Sequence, residues 1–194
     1  MEIKKLLARL VDEYRGDPLA IVATGAAISL GQLATVPGSS RILDSFCVPY
    51  SYESSKYIVG KVKEEGSDFP SPVSEATAIL LTKGTKAITD RPCCFVSITG
   101  AVITNRYRRG DNYAFICVSK DSLFKTYKIK LTKHPELFYT ILKKEAPEVI
   151  QTIRDRQDII VASQVIAILL NDFSIMNKYS RDIECFTFVP SETN

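Results

Sequence analysis

Leu19-Ala20-Ile21-Val22-Ala23 is the stretch on which the fold turns. Five apolar residues follow the break Gly16-Asp17-Pro18, and they read as a short buried strand. Upstream, Ile3, Leu6, Leu7, Leu10, Val11 and Tyr14 recur at helical spacing with charges between them. That is an amphipathic helix rather than the continuous apolar block of a signal peptide. Downstream, residues 26–36 read as helical although Gly31 weakens the pattern, and Pro37-Gly38-Ser39-Ser40 reads as a turn opening the next helical piece. Ser39 or Ser40 is the candidate cap of that piece. Phe46 to Tyr50 is the next expected strand.

The rest of the chain continues the alternation. Lys61 to Pro72 is charged and turn-rich, hence loop. Ser71-Pro72-Val73-Ser74-Glu75 combines hydroxyl caps, an early proline and a first-turn acid, and predicts a helix running to about Thr89. Strands are expected over Cys93–Thr99 and Tyr113–Ser119. Leu123–Leu131, interrupted by Lys125, Lys128 and Lys130, reads as an exposed edge strand. His134–Ile150 reads as helical with Pro147 breaking or kinking it, Ile159–Asn171 as a deeply packed helix, and Ile183–Val189 as a last strand. Helices alternating with strands argue for an α/β layer fold around one mostly parallel sheet. Nothing resembling a repeat or a long linker divides the chain, so residues 1–194 read as one domain.

Bulk composition narrows the function classes. Apolar residues make up 45% of 194 and charged residues 24%, the balance of a globular domain with a real core. A net charge of +3 gives no electrostatic case for nucleic acid or an anionic membrane as the main partner. The five cysteines are odd in number and form no C-x-x-C pair, and His134 is the only histidine. Structural zinc and any other metal site are therefore not expected, and reduced thiols in the cytoplasm, with the nucleus as alternative, are. The longest apolar stretch, Ile159–Leu170, is too short to span a bilayer.

Five segments in a fixed order carry a family resemblance. They are Val36-Pro37-Gly38-Ser39-Ser40, Pro49-Tyr50-Ser51-Tyr52-Glu53, Val73-Ser74-Glu75, Val96-Ser97-Ile98-Thr99-Gly100, and the late segment with Arg154 and Arg156. Together they resemble the C-terminal domain of the CinA family, the nicotinamide mononucleotide amidohydrolases, over residues 19–172. The resemblance implies a three-layer α/β/α domain with a mostly parallel or mixed central sheet and no cofactor. It also implies a nicotinamide nucleotide or similar small phosphorylated ligand. A homo-oligomer is expected, and the tail 174–194, which the family usually lacks, is a candidate to hold subunits together.

In the family, a serine in an E-S-C-T-G-G segment is the nucleophile, helped by a tyrosine and a lysine, because an unassisted hydroxyl attacks poorly near neutral pH. Here the segment reads Thr24-Gly25-Ala26-Ala27-Ile28-Ser29, which puts Gly25 at the nucleophile position. Tyr50 keeps the tyrosine. Ser55 takes the lysine position with Lys56 one residue later, about 100° around a helix, so Lys56 substitutes only if the register slips. Of the glycine loop only Gly100 remains, followed by Ala101-Val102-Ile103-Thr104.

The candidate catalytic residues are thus Tyr50 and Lys56, and the candidate ligand contacts Gly25, Gly38, Ser39, Ser40, Gly100 and Arg156. Each has a plainer alternative. The serines could serve only as a cap, Tyr50 as strand-end packing, and Arg156 as a solvated arginine, with Arg154 as its substitute. Ser29, the serine nearest the lost nucleophile, sits in an apolar helical stretch that disfavours it. Arg106-Tyr107-Arg108-Arg109 could meet RNA but reads as a solvent-facing loop, and His134 as structural. Amidohydrolysis lost, amidohydrolysis kept with relocated groups, and an interaction module of a larger assembly are the three readings carried forward.

Overall fold

A computed structural model describes residues 2–62, 68–104, 110–120, 123–133, 147–172, 174–175 and 183–188. The Arg106–Arg109 run, His134 and the expected helix through residue 146 lie outside these described residues.

Helix α1 (Glu2–Glu13) places Ile3, Leu7, Leu10 and Val11 inward, as their spacing requires. Strand β1 (Leu19–Thr24) follows and is buried over its first five residues. Strands β2 (Leu43–Cys47) and β3 (Cys94–Ala101) flank it, both parallel to it. Strands β4 (Asn112–Lys120), β5 (Leu123–Leu131) and β6 (Ile183–Phe188) then add antiparallel on the far side of β3. The sheet has six strands in the order β2-β1-β3-β4-β5-β6 and is mixed. This agrees with the mostly parallel or mixed sheet expected, and the short β4–β5 connection permits only antiparallel pairing there.

Two helical layers cover the sheet. On one face α1 and α4 (Pro147–Leu170) pack with Leu19, Ile21, Val96, Ile98 and Ile116. On the other, α2 (Tyr52–Val59) and α3 (Glu75–Ile88) meet through Ile58, Val59 and Leu81 over Val22. Burying leucines such as Leu7, Leu10 and Leu81 contributes about 2–3 kcal/mol each. The result is the three-layer α/β/α arrangement. No helix among the described residues is long and apolar enough to cross a membrane.

Local differences from the sequence reading have physical causes. The segment 26–36 is helical but wound as a 3-10 helix, Ile28–Thr35, entered through a left-handed Ala27. Gly31 lets it press on Phe46, whose ring carbon would lie 2.9 Å from an added Cβ. Neither Ser39 nor Ser40 caps the short 3-10 turn Ser39–Arg41. Gly38, at φ 82°, takes the cap position with no side-chain bond. Strand β2 begins and ends three residues earlier than Phe46–Tyr50, since Pro49 has no N–H to give a ladder. Leu123–Leu131 is not an edge strand but lies between β4 and β6. Its lysines do not mark an open edge: Lys125 lies on one face and Lys130 on the other, both exposed, while Phe124, Thr126 and Ile129 are buried. Pro147 is the first described residue of α4, in whose first turn a missing N–H is harmless.

Candidate functional site

In open α/β sheets, ligands settle beyond the carboxyl ends of the strands where the strand order reverses. Here that point lies between β1 and β3, since the chain leaves β1 for β2 on one side and returns to β3 on the other. Gly25 and Gly100 meet there. A Cβ on Gly25 would stand 2.1 Å from the Gly100 carbonyl oxygen, and a Cβ on Gly100 would stand 2.3 Å from the Ala26 Cβ. With Gly25 also at φ 78°, the two backbones touch and no side chain fits between them.

The crevice is closed further from α4. Asp158 accepts hydrogen bonds from the backbone N–H groups of Ile28 (2.7 Å) and Ser29 (3.0 Å), the first donors of the 3-10 helix. These are the groups an external anion would otherwise meet. One residue earlier, Gln157 accepts from the Ile103 N–H at 2.8 Å and donates to the Thr132 carbonyl at 2.9 Å. Arg154 donates to the Ile103 carbonyl at 3.2 Å and to the Tyr50 hydroxyl at 3.1 Å. Arg154, Gln157 and Asp158 are spaced i, i+3, i+4, so one helical face carries all three.

The structure therefore brings Gly25, Gly100 and Tyr50 to one end of the sheet and adds Arg154 and Asp158. Arg156, two positions from Arg154 and thus on the other side of α4, is exposed and makes no contact there. Gly38, Ser39 and Ser40 precede β2 and lie at the opposite end, about 20 Å away by the length of a six-residue strand. Arg41 ties that turn to the Val11 carbonyl of α1.

Ser51 caps α2 by accepting from the Ser54 N–H. The helix is regular, so the register does not slip. Ser55 faces inward, donating to the Pro49 and Ser51 carbonyls. Lys56 points to solvent with its Nζ over the Tyr52 ring, 5.1 Å from the centroid. Ser29, like Ser119 and Ser163, keeps a buried hydroxyl with no hydrogen-bond partner.

Cys93, Cys94 and Cys117 supply no reactive thiolate. Burial pushes the thiols of Cys93 and Cys94 up and that of Cys117 up to about 11, which keeps them protonated near neutral pH. Cys47 is exposed and free. Among the described residues no three Cys, His, Asp or Glu side chains gather as metal ligands.

Sequence reading missed Asp158 and Gln157. The available signal was a polar stripe, Arg154-Gln157-Asp158, on the first half of a helix whose second half buries mostly apolar residues, with Ser163 and Gln164 among them.

An α/β/α sandwich with a crevice at the β1–β3 switch point defines the class, and solved structures supply the particular relatives. The chain is similar to the competence damage-inducible protein A (ComA) of Klebsiella pneumoniae subsp. pneumoniae, at 16% identity over 89% of this chain and 96% of that one, with a TM-score of 0.56. The competence/damage inducible protein CihA of Agrobacterium tumefaciens gives 17%, 89%, 97% and 0.57. A competence-damaged protein (CinA) superfamily member of Escherichia coli gives 15%, 87%, 90% and 0.56. The chain shares its fold with these solved structures. No family model and no curated protein matches the sequence.

Proposed function

We propose that this chain is a divergent CinA-like protein in which amidohydrolysis of nicotinamide mononucleotide is lost or much reduced, and which acts by binding a ligand or a partner. One observation carries the reading. The position expected to hold the attacking hydroxyl is Gly25, and the space a side chain would need there is filled by the Gly100 carbonyl. Without a nucleophile the covalent route has no first step. The inward Ser55 at the lysine position and the Asp158 carboxylate on the Ile28 and Ser29 N–H groups support the same reading. What remains for a small phosphorylated ligand is the guanidinium of Arg154 beside the exposed Tyr50. A homo-oligomer of one cytoplasmic domain completes the proposal.

Purified protein incubated with nicotinamide mononucleotide should release no ammonia above the blank. Titration calorimetry with the same nucleotide should give a binding heat that Arg154→Ala removes. Turnover abolished by Tyr50→Phe would overturn the loss of chemistry and favour an active amidohydrolase with relocated groups.

A further inference from the structure

Beyond the crevice, a wide opening lies at the sheet's first edge. It is a trough of about 920 Å³ between β2, α2 and the last turn of α3. Among the described residues strand β2 pairs only with β1, so its outer row of backbone N–H and C=O groups has no described strand against it. Such an edge is a template for one more strand. Beside it, three large apolar side chains face solvent: Tyr57 at 67% exposure, Ile88 at 48% and Val48 at 37%. Neighbours of that size are normally covered, and a run of them along a groove marks an interaction surface.

The charges around the trough say what would cover it. Asp44, Glu53 and Asp90 line it against a single cation, Arg91, in a chain whose net charge is +3. Arg91 is spent on Asp44, with which it forms an ion pair. Glu53 and Asp90 have no ion-pair partner among the described residues. A second copy presenting the same edge would bring these carboxylates against their own images. The long open shape along a strand suits an extended chain better than a compact small molecule.

We propose that the β2 edge and its trough dock an extended basic peptide segment of a partner protein, taken up as an added strand. Its backbone pairs with β2, its apolar side chains rest on Val48, Tyr57 and Ile88, and its lysines or arginines meet Glu53 and Asp90. This is the strand-addition mode of recognition, in which main-chain bonds supply affinity and alternate side chains supply selectivity.

The test uses the full chain and a short N-acetylated peptide of alternating lysine and valine, read by fluorescence anisotropy. The double variant Glu53→Lys/Asp90→Lys should weaken binding about tenfold, the size of two lost and reversed exposed charge pairs. Alternate backbone N-methylation of the peptide should abolish it. Amide resonances of residues 43–48 should shift on titration, and the variant's unchanged far-UV dichroism would show that it folds. Equal binding of a glutamate–valine peptide, undiminished binding of the methylated peptide, or shifts confined elsewhere would each overturn the proposal. So would uptake of small aromatic probes such as indole with no peptide binding. Concentration-dependent dimerisation removed by the double variant would overturn it too, by showing a second copy as the occupant. None of these outcomes depends on whether nucleotide is hydrolysed.

Discussion

The crevice at the ends of β1 and β3 and the trough along β2 are built from neighbouring strands, yet they differ in how their polar groups are met. In the crevice, the chain supplies its own answers: Gly25 against Gly100, Asp158 on two N–H groups, and Gln157 on a third. In the trough, the outer edge of β2 and the side chains of Glu53, Asp90, Tyr57 and Ile88 face outward, with only Asp44 and Arg91 paired among the lining charges. The contrast teaches that a cleft is recognised by what remains unmet inside it, not by its place in the topology. A crevice closed from within keeps only its rim, Arg154 beside the exposed Tyr50, for a ligand, and an open edge is available to something else.

Substitutions in the two regions should therefore differ sharply in stability. Gly25→Ala combines a left-handed backbone with a clash against a carbonyl, and should cost roughly 3–5 kcal/mol in urea unfolding. A loss below about 1 kcal/mol would show the two backbones free to part. Asp158→Ala strips the carboxylate from the Ile28 and Ser29 N–H groups and should cost about 1–3 kcal/mol. Inorganic phosphate should partly restore that loss if the emptied donors accept an external anion. In the trough, Ile88→Ser should change stability by less than about 0.5 kcal/mol, since the side chain is already half in water.

The smallest effect lies at the far end of α4. Asp172 is held down to about 2 from an ordinary 3.8, first by its bond from the Ser174 hydroxyl and then by Arg9. Its folded value is the lower one, so the stabilisation it gives is present above about pH 4 and disappears as pH falls through 2. Ser174→Ala should raise the Asp172 midpoint in a carboxyl NMR titration and flatten the acid dependence of the melting temperature over that window. An unmoved midpoint would leave Arg9, 2.7 Å from the other carboxylate oxygen, as the main cause.

Much of the fold was legible because periodicity reports burial directly. Helix α1, strands β1, β3 and β4, and the Ser74 cap of α3 all follow from local residue chemistry. Strand order and edge position did not, because Leu123–Leu131 looks the same whether or not β6 lies beside it. At the site, the loss of side chain at Gly25 was visible in one residue. That Gly38-Ser39-Ser40 lies at the other end of the sheet was not, since a sequence of motifs carries order but not direction. Asp158 was hidden for a different reason: its partners are backbone groups 129 and 130 residues away, and a backbone donor has no letter of its own.

Helix α4 has 24 residues, a rod of about 36 Å, and it runs from the Asp158 contact to the packing against α1. Both ends of the sheet are thus fastened to one cooperative unit. Deuterium should enter the Ile28 and Ser29 amides only when the whole rod lets go, at the slow rate of global opening. The outward amides of β2 should label within the intrinsic exchange time, so a single labelling experiment would display the closed and open regions as two separate clocks.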